Sequence, residues 1–132
     1  MIIGIGHDLT DVARVSEMLE SKLRDRFMQR ILTPGERKIC SVYGGPRLHQ
    51  YVAGRFAAKE AIAKSFGCGI GALLGFGDID IGRDTSGKPI CKLSAAAWDR
   101  LGFSEEDTVI HITITHERAL ASAFAVVERI KL

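Results

Sequence analysis

Apolar residues recur along the chain at two periods, and the period assigns the elements. Residues 2–7 are apolar and glycine-rich and run into Asp8, which predicts a short buried strand with a carboxylate at its end. From Asp11 to Arg30 the apolar positions Val12, Val15, Met18, Leu19, Leu23 and Phe27, continued by Ile31, fall at helical spacing with one break. The opposite face carries Arg14, Lys22, Arg24, Arg26 and Arg30. Thr33-Pro34-Gly35-Glu36 has the form of a capping box, with threonine as N-cap, proline at N1 and glutamate at N3, and opens a short helix to about Val42. Gly44-Gly45-Pro46 interrupts it. The span Arg47 to Phe66 then reads as the longest helix, about 30 Å at ~1.5 Å per residue, closed by Gly67.

A glycine-rich loop, Gly67 to Gly77, follows. Asp78–Gly82 and Pro89–Leu93 read as strands joined by the polar turn Arg83–Lys88, and Ser94 caps a short helix through Leu101. Thr108 to Thr115 alternates strictly, with Ile110, Ile112 and Ile114 on one face and His111, Thr113 and Thr115 on the other, so His116 continues the isoleucine face. After a turn at Glu117-Arg118, Ala119 to Glu128 is small and apolar, as in a returning buried strand. The fold class is therefore α+β: one domain over 1–132, with helices packed on a mainly antiparallel sheet.

Composition narrows the function classes. With 132 residues and 46% hydrophobic content, the chain can bury one core but not two. The first eight residues lack a basic n-region and reach Asp8 too soon for a signal peptide or a membrane span, so a cytoplasmic protein with no membrane partner is expected. Cys40, Cys68 and Cys91 match neither a zinc pattern nor a disulfide framework and read as reduced thiols. A net charge of +2 is too small for a general nucleic-acid binder, so an acidic partner must meet a local patch.

Three features carry candidate chemistry: a stripe on the long helix, Asp8 and His116. Glu60, Lys64 and Gly67 stand at i, i+4 and i+7 on the long helix, so acid, cation and helix end share one stripe. The bland reading is a solvated ion pair. Small and apolar flanks, Phe56-Ala57-Ala58 and Ala61-Ile62-Ala63, favour a packed stripe whose charges need a partner, metal or ligand. Asp8, after an apolar strand, is either a cap for the helix starting near Asp11 or a second carboxylate beside Glu60. His116 is either a satisfied core histidine or a ligand-facing group at a strand end; His7, His49 and His111 belong to no chemical spacing.

Gly4-Ile-Gly-His-Asp8 with Arg14 six residues on, Gly54-Arg-Phe-Ala-Ala-Lys-Glu60-Ala-Ile-Ala-Lys64, and Ile114-Thr-His116 before an alanine-rich strand together resemble the holo-acyl-carrier-protein synthases of the 4′-phosphopantetheinyl transferase family. The resemblance covers essentially the whole chain, and the turn Gly87-Lys88-Pro89 is similar too. It implies a magnesium-dependent transfer of phosphopantetheine from coenzyme A, as co-substrate, to a serine of acyl carrier protein, in support of fatty acid biosynthesis. On that resemblance Asp8 and Glu60 hold magnesium, and Lys64 meets the coenzyme A phosphates. Arg47, Arg55, Gly67, Lys88, Pro89 and His116 line the coenzyme A site, and Asp8, Glu60, Lys64 and His116 form the catalytic set. Arg14, Arg24, Arg26 and Phe27 face the acidic carrier. The resemblance also implies a homotrimer with sites between subunits. On the chemistry of that reaction the serine proton is expected to go to Glu60, through water in preference to directly, with His116 orienting phosphate or substrate. Thr115 stands where serine is frequent and keeps its hydroxyl. Rival readings are a non-catalytic coenzyme-A-binding module, a transferase serving a large synthase's carrier domains, and a purely structural trimer.

Overall fold

Gly4 and Gly6 decide how the first strand packs. The computed structural model describes residues 1–130, and its chain order is β1 (Ile2–Asp11), α1 (Val12–Leu19), α2 (Arg24–Ile31), α3 (Pro34–Cys40), α4 (Gly45–Ser65), β2 (Ile79–Arg83), β3 (Pro89–Leu93), α5 (Ala95–Leu101), β4 (Thr108–His116) and β5 (Leu120–Arg129). Two 3₁₀ turns, Phe76–Asp78 and Glu105–Asp107, precede β2 and β4. Strands β1, β5 and β4 form one antiparallel sheet in that order, and β2 pairs with β3 in a separate hairpin.

The larger sheet has one packed face and one open face. On the packed face Gly4, Gly6, Asp8 and Thr10 of β1 lie beside Ala121, Ala123, Ala125 and Val127 of β5, and these beside Ile110, Ile112 and Ile114 of β4. Helix α4 lies across this face. The alanines and glycines there are small because a helix backbone must come close: a Cβ on Gly4 would stand 2.0 Å from the Ser65 carbonyl oxygen. Burial of Val52, Ala53, Ala57, Ala58, Ala61 and Ile62 supplies the core.

Strand β1 departs from the expected short buried strand. It runs on to Asp11, so Asp8 lies within it and not at its end. Ile5 and Leu9 are exposed, because an edge strand packed on one side only alternates between core and solvent; Ile2, also exposed, lies beyond a register shift between Ile2 and Gly4. Likewise β5 is buried on one face alone, with Leu120 and Phe124 in the open.

The helical boundaries have local causes. Asp11 caps α1 by accepting from the Ala13 amide at 3.0 Å. The α1–α2 break falls at Ser21, whose hydroxyl donates to the Met18 carbonyl (2.8 Å) and accepts from the Leu23 amide (3.1 Å). The capping box at Thr33 and Glu36 is present with both reciprocal bonds. Gly67, at φ +80°, ends α4 in the left-handed region.

One buried ion pair was not foreseen. Lys59 and Glu36 meet at 2.6 Å with both side chains fully enclosed. The Lys59 ammonium also donates to the carbonyls of Ile31 (2.7 Å) and Phe76 (3.2 Å), while Glu36 accepts from the amides of Thr33 and Ile81, each at 2.8 Å. Burial pushes Lys59 below its usual range, against the pull of Glu36.

Candidate active site

Because Gly4, Gly6 and Asp8 share one face of β1, the approach that seats the glycines on α4 carries Asp8 to the helix flank. There Lys64 donates to Asp8 Oδ1 and to the His7 carbonyl, both at 3.1 Å, and the Thr10 hydroxyl donates to Oδ2 at 2.9 Å. The lysine therefore bonds across to β1, not back along its own helix to Glu60 as a solvated i, i+4 pair would. With Asp11 capping α1, Asp8 is also free of the capping role.

Glu60 completes the group from α4. Its carboxyl is raised above the usual range, first by burial and then by the charge of Asp8, against the pull of Lys64. Asp8 and Glu60 line one cleft with Thr10, Arg14, Val15, Met18, Phe27 and Phe56. Two carboxylates meet at a half-buried floor, beneath a wall of Val15, Met18, Phe27 and Phe56 with Arg14 and Asp11 exposed at its rim. Among the described residues no three His, Cys, Asp or Glu side chains gather as a closed metal cage. An open two-carboxylate site is what a magnesium ion needs when water and phosphate supply its other ligands.

A second cleft opens where α4 passes β4. Arg47, Arg55, Pro89 and His116 line it, together with Tyr43, Gln50, Tyr51, Gly54, Arg83 and Ile114. Gly54 permits this contact, since a Cβ there would lie 3.3 Å from Ile114 Cγ2. Both arginines stack on tyrosines, exposed Arg47 at 4.1 Å from the Tyr43 ring centre and buried Arg55 at 4.4 Å from that of Tyr51. Burial raises Tyr51 to about 12, with Arg55 pulling the other way. Arg55 is 3% exposed, its Nε has no hydrogen-bond partner, and no carboxylate pairs with it among the described residues. A buried cation without a counter-ion marks a place for an anion. His116 is exposed at the end of β4, so the satisfied-core reading of that histidine does not hold.

The expected residues thus divide into two groups on one chain. Asp8, Glu60, Arg14 and Phe27 share the first cleft, with Lys64 bonded to Asp8 at its edge; Arg47, Arg55, Pro89 and His116 share the second. Gly67 and Lys88 line neither. Lys88 is exposed in the β2–β3 turn, where its amide donates to Asp84 Oδ1 at 2.9 Å. Arg24 reaches back to the Leu19 carbonyl at 3.1 Å, whereas Arg26 is free in solvent on α2. Tyr43, Tyr51 and Arg83 escaped the sequence reading. The signal existed in part: Arg47, Tyr51 and Arg55 recur every four residues, which aligns them along one face of α4, with Tyr43 just before the helix.

A family profile described as the 4′-phosphopantetheinyl transferase superfamily matches residues 4–125. A Bacillus cereus (strain G9842) protein named holo-acyl-carrier-protein synthase is 43% identical over 128 residues, covering 97% of each chain. A crystal structure of a Bacillus anthracis holo-acyl-carrier-protein synthase in complex with CoA (3′,5′-ADP) superposes with a TM-score of 0.83 at 40% identity, covering 98% of both chains. The Helicobacter pylori holo-acyl-carrier-protein synthase in complex with coenzyme A gives a TM-score of 0.80 at 30% identity, over 94% of this chain and 99% of that one.

Proposed function

This chain belongs to the 4′-phosphopantetheinyl transferase superfamily, and we propose that it transfers 4′-phosphopantetheine from coenzyme A to a serine of apo acyl carrier protein, releasing adenosine 3′,5′-bisphosphate. The observation that carries this reading is the meeting of Asp8, Lys64 and Glu60 between β1 and α4 in a chain with whole-length relatives named for that reaction.

Asp8 and Glu60 are the residues to hold magnesium, since they offer two half-buried carboxylates and leave most positions to water and phosphate. When bound, the ion would neutralise charge on the pyrophosphate oxygens. Lys64 places its ammonium beside those oxygens, held ready by Asp8 and the His7 carbonyl. Glu60, with its raised carboxyl, is placed to accept the serine proton, directly or through water. Arg55, Arg47 and His116 offer an anion-binding wall suited to a coenzyme A phosphate, supported by the unpaired buried guanidinium. Arg14 at the mouth of the first cleft and Arg26, exposed on α2, present positive charge to an acidic carrier.

The two groups complete one site if copies of the chain assemble so that one subunit's His116 cleft adjoins another's Asp8 cleft. A homotrimer built on the open sheet face is the arrangement proposed. Ile5 and Leu9 are each 60% exposed there, with Leu120 and Phe124 at 43% and 45%, an apolar patch that an assembly would cover. No helix among the described residues is long and apolar enough to cross a membrane; a cytoplasmic location is proposed from the reaction's substrates.

Incubating the protein with coenzyme A, magnesium and apo carrier, then weighing the carrier by mass spectrometry, tests the reading. A phosphopantetheine mass increment is expected. Coenzyme A binding without that increment would leave a binding module in its place.

A further inference from the structure

We infer that Lys59 is a positioning residue for the carrier side of the reaction: its buried ammonium ties the two aromatic walls of the Asp8–Glu60 cleft to the helix segment that carries Glu60. The inference rests on the functional reading above. Lys59 directly precedes Glu60 in α4 and is fully enclosed. Its ammonium has three N–H donors and three acceptors, the Glu36 carboxylate (2.6 Å) and the carbonyls of Ile31 (2.7 Å) and Phe76 (3.2 Å). Each acceptor belongs to a different segment.

Two of those segments form the cleft. Ile31 is the last residue of α2, the helix that puts Phe27 into the cleft wall. Phe76 stacks its ring on Phe56 at 5.4 Å between ring centres, and Phe56 lines the cleft one helical turn before Glu60. A single ammonium thus sets the distance from α4 both to the base of the Phe27 helix and to the support of Phe56. Stability alone does not call for a charge here, because well-packed apolar residues can commonly replace a buried ion pair of this kind without loss. What an apolar pair cannot do is address three oxygens at once and hold three segments in register. The Arg55–His116 cleft touches the tie at one point, where the Tyr51 hydroxyl donates to the Glu36 main-chain carbonyl at 3.5 Å, a contact that side-chain substitution at Glu36 leaves in place; the ammonium itself bonds to none of that cleft's lining residues.

The test uses the full chain carrying Lys59→Met with Glu36→Gln, which removes both charges and keeps an acceptor for the Thr33 amide. In the folded variant kcat/KM for the apo carrier should fall at least about tenfold, in line with the large losses that follow small misplacements near reacting groups. The dissociation constant for coenzyme A, titrated calorimetrically, should stay within about twofold, well under the 1.4 kcal/mol that a tenfold change represents. Wild-type carrier kinetics in the folded variant would overturn the inference, and so would an equal loss of coenzyme A affinity. If the double variant does not fold, Lys59→Gln decides by the same two readouts, since its amide offers two N–H donors for three acceptors and so releases at least one segment. A wild-type protein that transfers nothing would overturn the functional reading and this inference together, whereas wild-type transfer with unaltered variants overturns the inference alone.

Discussion

Gly6 of β1 and Ala61 of α4 stand so close that a Cβ at position 6 would lie 1.8 Å from the Ala61 carbonyl oxygen. Asp8 follows on the same face, so this approach sets where the carboxylate meets Lys64. Gly6→Ala must push β1 off the helix backbone, and should cost at least ~2 kcal/mol of stability with most of the transfer activity. Gly82→Ala, in β2 with open space around it, should change stability by no more than about 0.5 kcal/mol. Urea denaturation and transfer rates on the pair check this; equal effects would show that the approach is not what matters.

Removing either carboxylate should abolish transfer, and Glu60 should also carry a pH signature. Because burial and Asp8 raise its carboxyl in the folded chain, the folded state holds the proton more tightly than the unfolded one. Stability is then withdrawn as pH rises from the usual carboxylate value of about 4.3 through the raised one. Glu60→Gln should therefore melt above wild type at neutral pH in chelator, with the gap closing in acid. A melting temperature below wild type at neutral pH would contradict this account, and wild-type transfer in Asp8→Ala or Glu60→Ala would remove that residue from the metal site.

Lys64 bonds to Asp8 and the His7 carbonyl, so its loss frees Asp8 while removing a cation from the phosphates. Lys64→Ala should lower turnover about 10²-fold, the scale of a lost charge-stabilising donor. Lys64→Arg should rescue poorly, since a planar guanidinium does not replace a compact ammonium. Steady-state kcat decides, and an active alanine variant would reduce Lys64 to a fold contact.

Arg14 is exposed on α1 at the mouth of the carboxylate cleft. Arg14→Glu should raise KM for the carrier far more than KM for coenzyme A. Salt should weaken carrier use by the wild type in the same way, as screening shortens to about 3 Å at 1 M. Parallel losses toward both substrates would place Arg14 in the coenzyme site or the fold.

The two clefts predict complementation between subunits. Asp8→Ala and Arg55→Ala should each be inactive alone. Unfolded together and refolded as a mixture, they should recover partial transfer, because some sites then join an intact Asp8 cleft to an intact Arg55 cleft. Continued inactivity of a mixture that assembles as wild type does would argue for sites complete within one chain.

Local pattern determined much of this protein. The Thr33–Glu36 box, the long helix closed at Gly67, the isoleucine alternation of β4 and the Glu60–Lys64 spacing are short-range features that residues within a few positions dictate. The family resemblance named the site residues the same way, as a list along the chain. Tertiary structure decided which of them meet. That Lys64 turns to Asp8 depends on Gly4 and Gly6 admitting a helix 55 to 61 residues away in sequence, a closeness that periodicity does not encode. The Lys59–Glu36 pair was illegible because a lysine reads as solvated until three oxygens from separate segments enclose it. The division of the expected coenzyme and metal residues between two sides of α4 was equally hidden, since spacing along a chain does not report which flank of a packed helix each residue reaches.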